Sequence, residues 1–260
     1  ADHAVPPPVP PLEPMAELYG ALVTATRDYV VKSGFTDICI GLSGGVDSAL
    51  VATIAADALG PDHVHAVLMP SRYSSDHSVA DAESLIAEQG LDGRTIPIAD
   101  AHVALRGILD ASLGDLGDGL VDENLQARIR GVLLMALSNA HGWLVLVTGN
   151  KSESAVGYST LYGDTAGAYA SIKDVYKTTV YDLCRWRNVQ AVLYGGGPVI
   201  PDSILSKPPS AELRPDQRDD QSLPPYDVLD PLLEAYIEGG RTSAAPVAAG
   251  FDAEFVQPRG

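Results

Sequence analysis

The chain has 260 residues, with 17 Lys and Arg against 34 Asp and Glu, giving a formal net charge of −17. A surface this acidic lacks the basic footprint that neutralises phosphates and excludes a general nucleic-acid binder. At 46% hydrophobic and 20% charged the composition is globular, which excludes disorder throughout and suits one larger α/β domain or two small ones. Two cysteines, Cys39 and Cys184, stand far apart in apolar or helical sequence. Neither a disulfide framework nor a cysteine zinc site is expected, and a reducing compartment fits. Apolar runs such as Val132 to Leu137 are much shorter than the roughly 18 to 20 residues that span a bilayer. The start shows no signal-peptide pattern, so the expectation is a soluble, cytoplasmic protein that engages no membrane.

Residues 1–14 contain six prolines and read as an extended linker or tail. Apolar residues at three- and four-residue spacing predict a helix from Met15 to Lys32, stopped by Gly34. Four short apolar runs follow as strands: Ile38 to Leu42, Val64 to Met69, Thr95 to Ile98 and Leu144 to Thr148. Between them lie helical patterns over Asp47 to Leu59, Ser78 to Gln89, Asp100 to Leu113 and Asp122 to Asn139. Strands apolar on both faces, alternating with helices, predict a doubly wound parallel α/β sheet with helices on both faces and ligands at the carboxyl ends of the strands. Gly149 to Lys173 reads as irregular, Val175 to Arg187 as a helix, Gly195 to Pro225 as a loop or lid, and Tyr226 to Glu238 as a last helix. The expected division is a tail over 1–14, one domain over 15–240 and a C-terminal tail over 241–260.

The strongest motif is Gly41-Leu42-Ser43-Gly44-Gly45-Val46-Asp47-Ser48, at a strand-to-helix junction. Glycines let the backbone approach a ligand, and the first N–H groups of the helix point outward unpaired, so the loop suits a polyanion. A Walker A loop needs Lys beside its final Ser or Thr, and here Asp47 holds that place.

Ser-Gly-Gly-x-Asp-Ser instead resembles the pyrophosphate loop of the ATP pyrophosphatases, the adenine-nucleotide alpha hydrolase type. Three further segments narrow the resemblance: Thr148-Gly149-Asn150-Lys151-Ser152-Glu153, Ser206-Lys207-Pro208-Pro209-Ser210-Ala211-Glu212-Leu213, and Asn124-Leu125-Gln126-Ala127-Arg128-Ile129-Arg130. With Met69-Pro70-Ser71-Arg72-Tyr73-Ser74-Ser75 they resemble the synthetase part of the glutamine-dependent NAD synthetases, over about Glu17 to Glu238.

That resemblance implies ATP and Mg²⁺ as cofactors and a ligase reaction: the nicotinate carboxylate of deamido-NAD is adenylated, pyrophosphate leaves, and ammonia displaces AMP. It also implies site residues. Gly41, Leu42, Ser43, Gly44, Gly45, Val46, Asp47 and Ser48 would bind ATP phosphates, Thr148 the adenosine, and Lys177 and Ser210 the phosphates again. Asp47 and Glu153 would hold the metal, with Lys177 completing the catalytic group, and Asn124, Arg128 and Glu153 would meet deamido-NAD. Family members form homodimers, which places long helices such as Asp122 to Asn139 at an interface.

The match departs at both ends. The family's amidase domain has no counterpart here, so ammonia would be the direct nitrogen donor, and the family's basic C-terminal segment is replaced by Phe255 to Gly260. Two other classes share the loop: another amidating ATP pyrophosphatase, such as a GMP-synthetase-like enzyme, and a non-catalytic adenine-nucleotide binder. The first should lack the Ser206 to Leu213 segment; the second has no need of metal carboxylates at a reacting phosphate.

Overall fold

The computed structural model describes residues 11–115 and 117–240. Five parallel strands form one sheet in the order β3-β2-β1-β4-β5: β1 Ile38–Gly41, β2 Val64–Leu68, β3 Asp92–Thr95, β4 Leu144–Val147 and β5 Tyr169–Ala170. The helices are α1 Pro14–Lys32, α2 Val46–Leu59, α3 Asp76–Gln89, α4 Ala99–Leu113, α5 Leu120–His141, α6 Lys151–Val156, α7 Lys177–Leu193, α8 Asp202–Ser206 and α9 Tyr226–Ile237. The expected doubly wound sheet is the observed one.

The strands' period-2 geometry divides the core into two layers. Ile38 and Ile40 of β1, with Val64, Ala66, Leu144 and Leu146, pack against residues of α1, α2, α3 and α7. Cys39, Val67 and Val145 turn to the opposite face, where Ile98, Ile129 and Leu134 cover them. Both faces of β1 are therefore dry, which is why its sequence is a continuous apolar run.

β1 leads through α2 to β2 on one side and is hydrogen-bonded to β4 on the other. The chain direction around the sheet reverses between β1 and β4, and a crevice opens there at the carboxyl ends of the strands. The loop after β1 and Thr148 after β4 both project from that point.

Four segments differ from the sequence analysis, one of them the expected loop from Gly195 to Pro225, which contains the short helix α8. The third strand is Asp92–Thr95 rather than Thr95 to Ile98, because this edge strand pairs only with β2 and takes polar, exposed residues; the hydrogen bonds Ile96 N to Leu68 O and Ile98 N to Pro70 O then carry the apolar run onward, outside the strand proper. The stretch expected to be irregular contains α6 and the two-residue β5. Helix α7 begins at Lys177, two residues later than expected, and runs on to Leu193. Most of the tail over 1–14 and the whole of that over 241–260 lie outside the described residues. Among the described residues, no helix is long and apolar enough to cross a membrane.

Candidate active site

The Ser-Gly-Gly loop is braced from within. Ser43 N donates to Ser48 Oγ at 3.2 Å, Ser48 Oγ donates to Gly45 O at 3.0 Å, and Gly45 N donates to Ser43 Oγ at 3.2 Å. Ser48 is thus a buried strut that shapes the loop, while the amides of Val46, Asp47 and Ser48 precede the first intrahelical bond, Ala49 N to Gly45 O. Gly44 takes φ +76°, and a Cβ there would fall 2.1 Å from the carbonyl oxygen of Ser78. Only glycine lets the loop lie this close to α3. Leu42 points its side chain into the core and gives its N–H to Val67 O at 2.9 Å, so it anchors the loop to the sheet.

Across the crevice, α6 and α7 present their first turns. Asn150 caps α6 through a capping box with Glu153, accepting from Glu153 N at 2.9 Å. Its amide reaches across to donate to Asp47 Oδ1 at 2.9 Å. Lys177, the first residue of α7, is 3% exposed, and its ammonium donates to Asp47 Oδ2 and, at 3.2 Å, to Glu153 Oε1. The structure thus brings Asp47, Glu153 and Lys177 together from three helices.

Helix α9 holds that junction. Asp230 accepts from Ser152 Oγ at 2.5 Å, from Thr178 N at 2.8 Å and from Thr178 Oγ1 at 2.8 Å, while Lys177 N donates to Ser152 Oγ at 2.9 Å. One buried carboxylate therefore ties the starts of α6 and α7 together. Asp219 lies beside the cluster and accepts from Tyr226 Oη at 2.9 Å.

The electrostatics follow from burial. Burial pushes the Glu153 carboxyl up to about 7, the negative charge of Asp47 adds to this, and Lys177 opposes it. Burial alone would lower Lys177, but the carboxylates of Asp47 and Glu153 outweigh it and hold the ammonium protonated, well above its ordinary range. Asp219 is raised, first by burial. Two free cysteines, both buried, have thiols pushed up by burial, Cys39 to about 11, so neither is a poised nucleophile.

These groups open into a cleft of about 280 Å³ lined by Gly41, Ser43, Asp47, Thr148, Lys177 and Ser210, among others. Ser210 is on the segment that crosses the cleft, but its hydroxyl donates to Gln217 O at 2.5 Å and must turn before it can serve a phosphate. Asn124 and Arg128 are elsewhere. They lie on the side of α5 that meets the loop after α6, where Thr160 Oγ1 donates to Asn124 at 2.7 Å and Arg128 Nε to Leu161 O at 3.2 Å.

Four residues in or beside the cleft carry no role in the sequence analysis, although Asn150, Arg130 and Lys207 stand in segments quoted there. Asn150 was signalled by its Asn-x-x-Glu capping pattern. Arg130 lines the cleft with its Nε on Met69 O at 3.0 Å, and burial pulls it down to about 10. Lys207 donates to Gly44 O at 2.9 Å. Asp219 arrives from a remote loop with no local signal.

Among the described residues, no group of three or more His, Cys, Asp and Glu could hold a metal. Asp47 and Glu153 supply two carboxylates converging on one cation, and Mg²⁺ is commonly held by one or two carboxylates plus substrate phosphates. The pair fits a magnesium ion delivered with a nucleotide.

Residues 18–257 match the family model described as NAD synthase. The chain belongs to the NAD synthase family. A glutamine-dependent NAD(+) synthetase of Acinetobacter baylyi is 51% identical over 253 residues, covering 96% of this chain and 46% of the relative. The solved structure of the Acinetobacter baumannii glutamine-dependent NAD+ synthetase in complex with adenosine diphosphate superposes with a TM-score of 0.73 at 46% identity, over 96% of this chain and 44% of that one. An NH3-dependent NAD synthetase from Campylobacter jejuni, in complex with the nitrate ion, aligns with a TM-score of 0.72 at 27% identity, covering 93% of this chain and 90% of the neighbour. The chain thus spans about half the length of the glutamine-dependent relatives and almost all of an NAD synthase family member that uses ammonia.

Proposed function

We propose that this chain amidates deamido-NAD to NAD, with ATP cleaved to AMP and pyrophosphate and ammonia as the direct nitrogen donor. The observation that carries this reading is the meeting of the glycine loop, Asp47, Glu153 and Lys177 around one cleft at the switch point of an NAD synthase family fold. The loop amides and the start of α2 bind phosphate oxygens. Asp47, oriented by Asn150, and Glu153 would hold magnesium, which when bound would supply a hard positive charge that screens the phosphates from one another. Lys177, kept protonated beside Asp47 and Glu153, would donate to the leaving phosphates. Thr148 meets the adenosine, Ser210 closes on the phosphates, and Asn124 and Arg128 receive deamido-NAD beside α5.

The match to 46% of a longer glutamine-dependent relative supports an amidase partner that delivers ammonia to this domain. We also propose a two-fold homodimer. Val103 and Ile108 of α4 and Val132 and Met135 of α5 are exposed apolar side chains on the layer covering one sheet face, and a second copy would bury them. A cytoplasmic location fits the two unpaired, buried thiols. Light scattering on the wild type and on Val132→Asp/Met135→Lys tests the dimer: a wild-type dimer converted to a monomer supports it, and a monomeric wild type refutes it. The activity is tested by asking whether purified chain forms NAD and pyrophosphate together from ATP, Mg²⁺, deamido-NAD and ammonium.

A further inference from the structure

The segment from Lys207 to Ser222 crosses the cleft between α8 and α9, and it is fastened chiefly to the first turn of α3. Glu212 accepts from Ser75 N at 3.2 Å, from Ser75 Oγ at 2.9 Å and from Ser78 Oγ at 2.6 Å. Lys207 donates to the same Ser78 hydroxyl at 2.8 Å and to Asp81 at 3.1 Å. Ser78 thus bridges a carboxylate and an ammonium from the two ends of the Pro208 to Ala211 turn. Gln126 adds a third fastening, donating to Leu213 O at 2.9 Å.

Two features separate this arrangement from ordinary surface packing. First, α3 has its own cap, since Ser75 Oγ accepts from Ser78 N at 3.1 Å, so the helix does not require the Glu212 carboxylate to begin. Second, Glu212 takes φ +50°, an unfavourable conformation for a side chain of its kind, and there its N–H donates to Ser210 Oγ at 3.1 Å. The twisted backbone lets one residue point its carboxylate at α3 while its amide holds the Ser210 oxygen in place, about which the hydroxyl proton can still turn. The same first turn of α3 touches the phosphate loop: Ser78 O is where a Cβ on Gly44 would collide, and Lys207 holds Gly44 O.

We propose that Glu212 is a positioning residue that clasps the crossing segment to α3 and so sets Ser210 in register with the phosphate loop. This rests on the ATP-dependent reading above. Its role is to pre-organise the nucleotide end of the cleft, leaving the deamido-NAD end untouched.

The test uses the 260-residue chain with Glu212→Gln and Glu212→Ala. Loss of hydrogen bonds to a charged acceptor should raise KM for ATP about ten-fold or more in Glu212→Ala, with a smaller rise in Glu212→Gln and KM for deamido-NAD within about two-fold of wild type. Hydrogen exchange should speed up across residues 207–222 in both variants while α3 stays protected, and a non-hydrolysable ATP analogue should slow it in wild type more than in Glu212→Ala. Unchanged exchange in the segment, or exposure of α3 itself, would overturn the proposal. So would equal losses for both substrates. If wild type makes no NAD, the activity reading fails, while the exchange measurements with the ATP analogue still decide the clasp.

Discussion

Replacing Lys177 with Met tests how the buried charge cluster is balanced. The side chain is similar in length, so packing is largely kept, but Asp47 and Glu153 then face one another without a cation. Removing one partner of a buried ion pair costs about 3–5 kcal/mol when the remaining charge persists. The protein can relieve this by protonating Glu153, whose carboxyl is raised to about 7 even with Lys177 present, chiefly by burial. In the variant the opposing effect of Lys177 is gone, so Glu153 rises further. A carboxyl raised in the folded state gives stability that is fully present below its unfolded value, about 4.3, and is lost as pH climbs through the folded value. Urea unfolding of Lys177→Met in EDTA should therefore show a loss of about 3 kcal/mol at pH 8 that shrinks to about 1 kcal/mol or less near pH 5. Magnesium alone should restore stability at pH 8 to the variant more than to wild type, since the ammonium no longer occupies the space between the carboxylates. A loss that is the same at both pH values, or no response to magnesium, would refute the placement of the cation site.

Two further substitutions probe the scaffold. Gly44→Ala forces a side chain into φ +76° and against the Ser78 carbonyl, so α3 must retreat from the loop; unfolding should show a loss of about 1–3 kcal/mol and calorimetry a collapse of ATP-analogue affinity, whereas affinity kept within about two-fold would count against the loop geometry. Asp230→Ala removes the acceptor shared by Ser152 and Thr178, with an expected cost of about 2–4 kcal/mol and a fall in turnover from misplaced Lys177; a stable variant with full turnover would show that α9 does not hold the junction.

The fold was legible where burial leaves a two-sided apolar run. Strands β1, β2 and β4 sit inside the sheet and could be read directly, as could the helices between them. Strand β3 sits at the edge with polar residues Asp92 and Arg94, and β5 is only two residues long, so neither imposes an apolar period. Helix α6 has six residues, too few for a repeat, although its Asn150 cap and Glu153 were in view. The glycine loop after β1 was legible because its glycines and Asp47 are contiguous. The partners that orient it were not: Asn150 meets Asp47 across 103 residues of sequence, and Asp230 meets Ser152 across 78. The sequence also could not show that Ser48 supports the loop internally, or that the Ser210 hydroxyl is engaged by Gln217 O. Those follow from how the chain closes on itself, not from residue type.

The most direct test is a paired assay of the purified chain and its Asp47→Ala variant with ATP, Mg²⁺ and deamido-NAD, following NAD and pyrophosphate together, with ammonium in one tube and glutamine in the other. The account predicts equal amounts of NAD and pyrophosphate from ammonium, none from glutamine, and neither product from Asp47→Ala. Undiminished pyrophosphate release by Asp47→Ala, or a wild-type chain that yields neither product from ammonium, would contradict it.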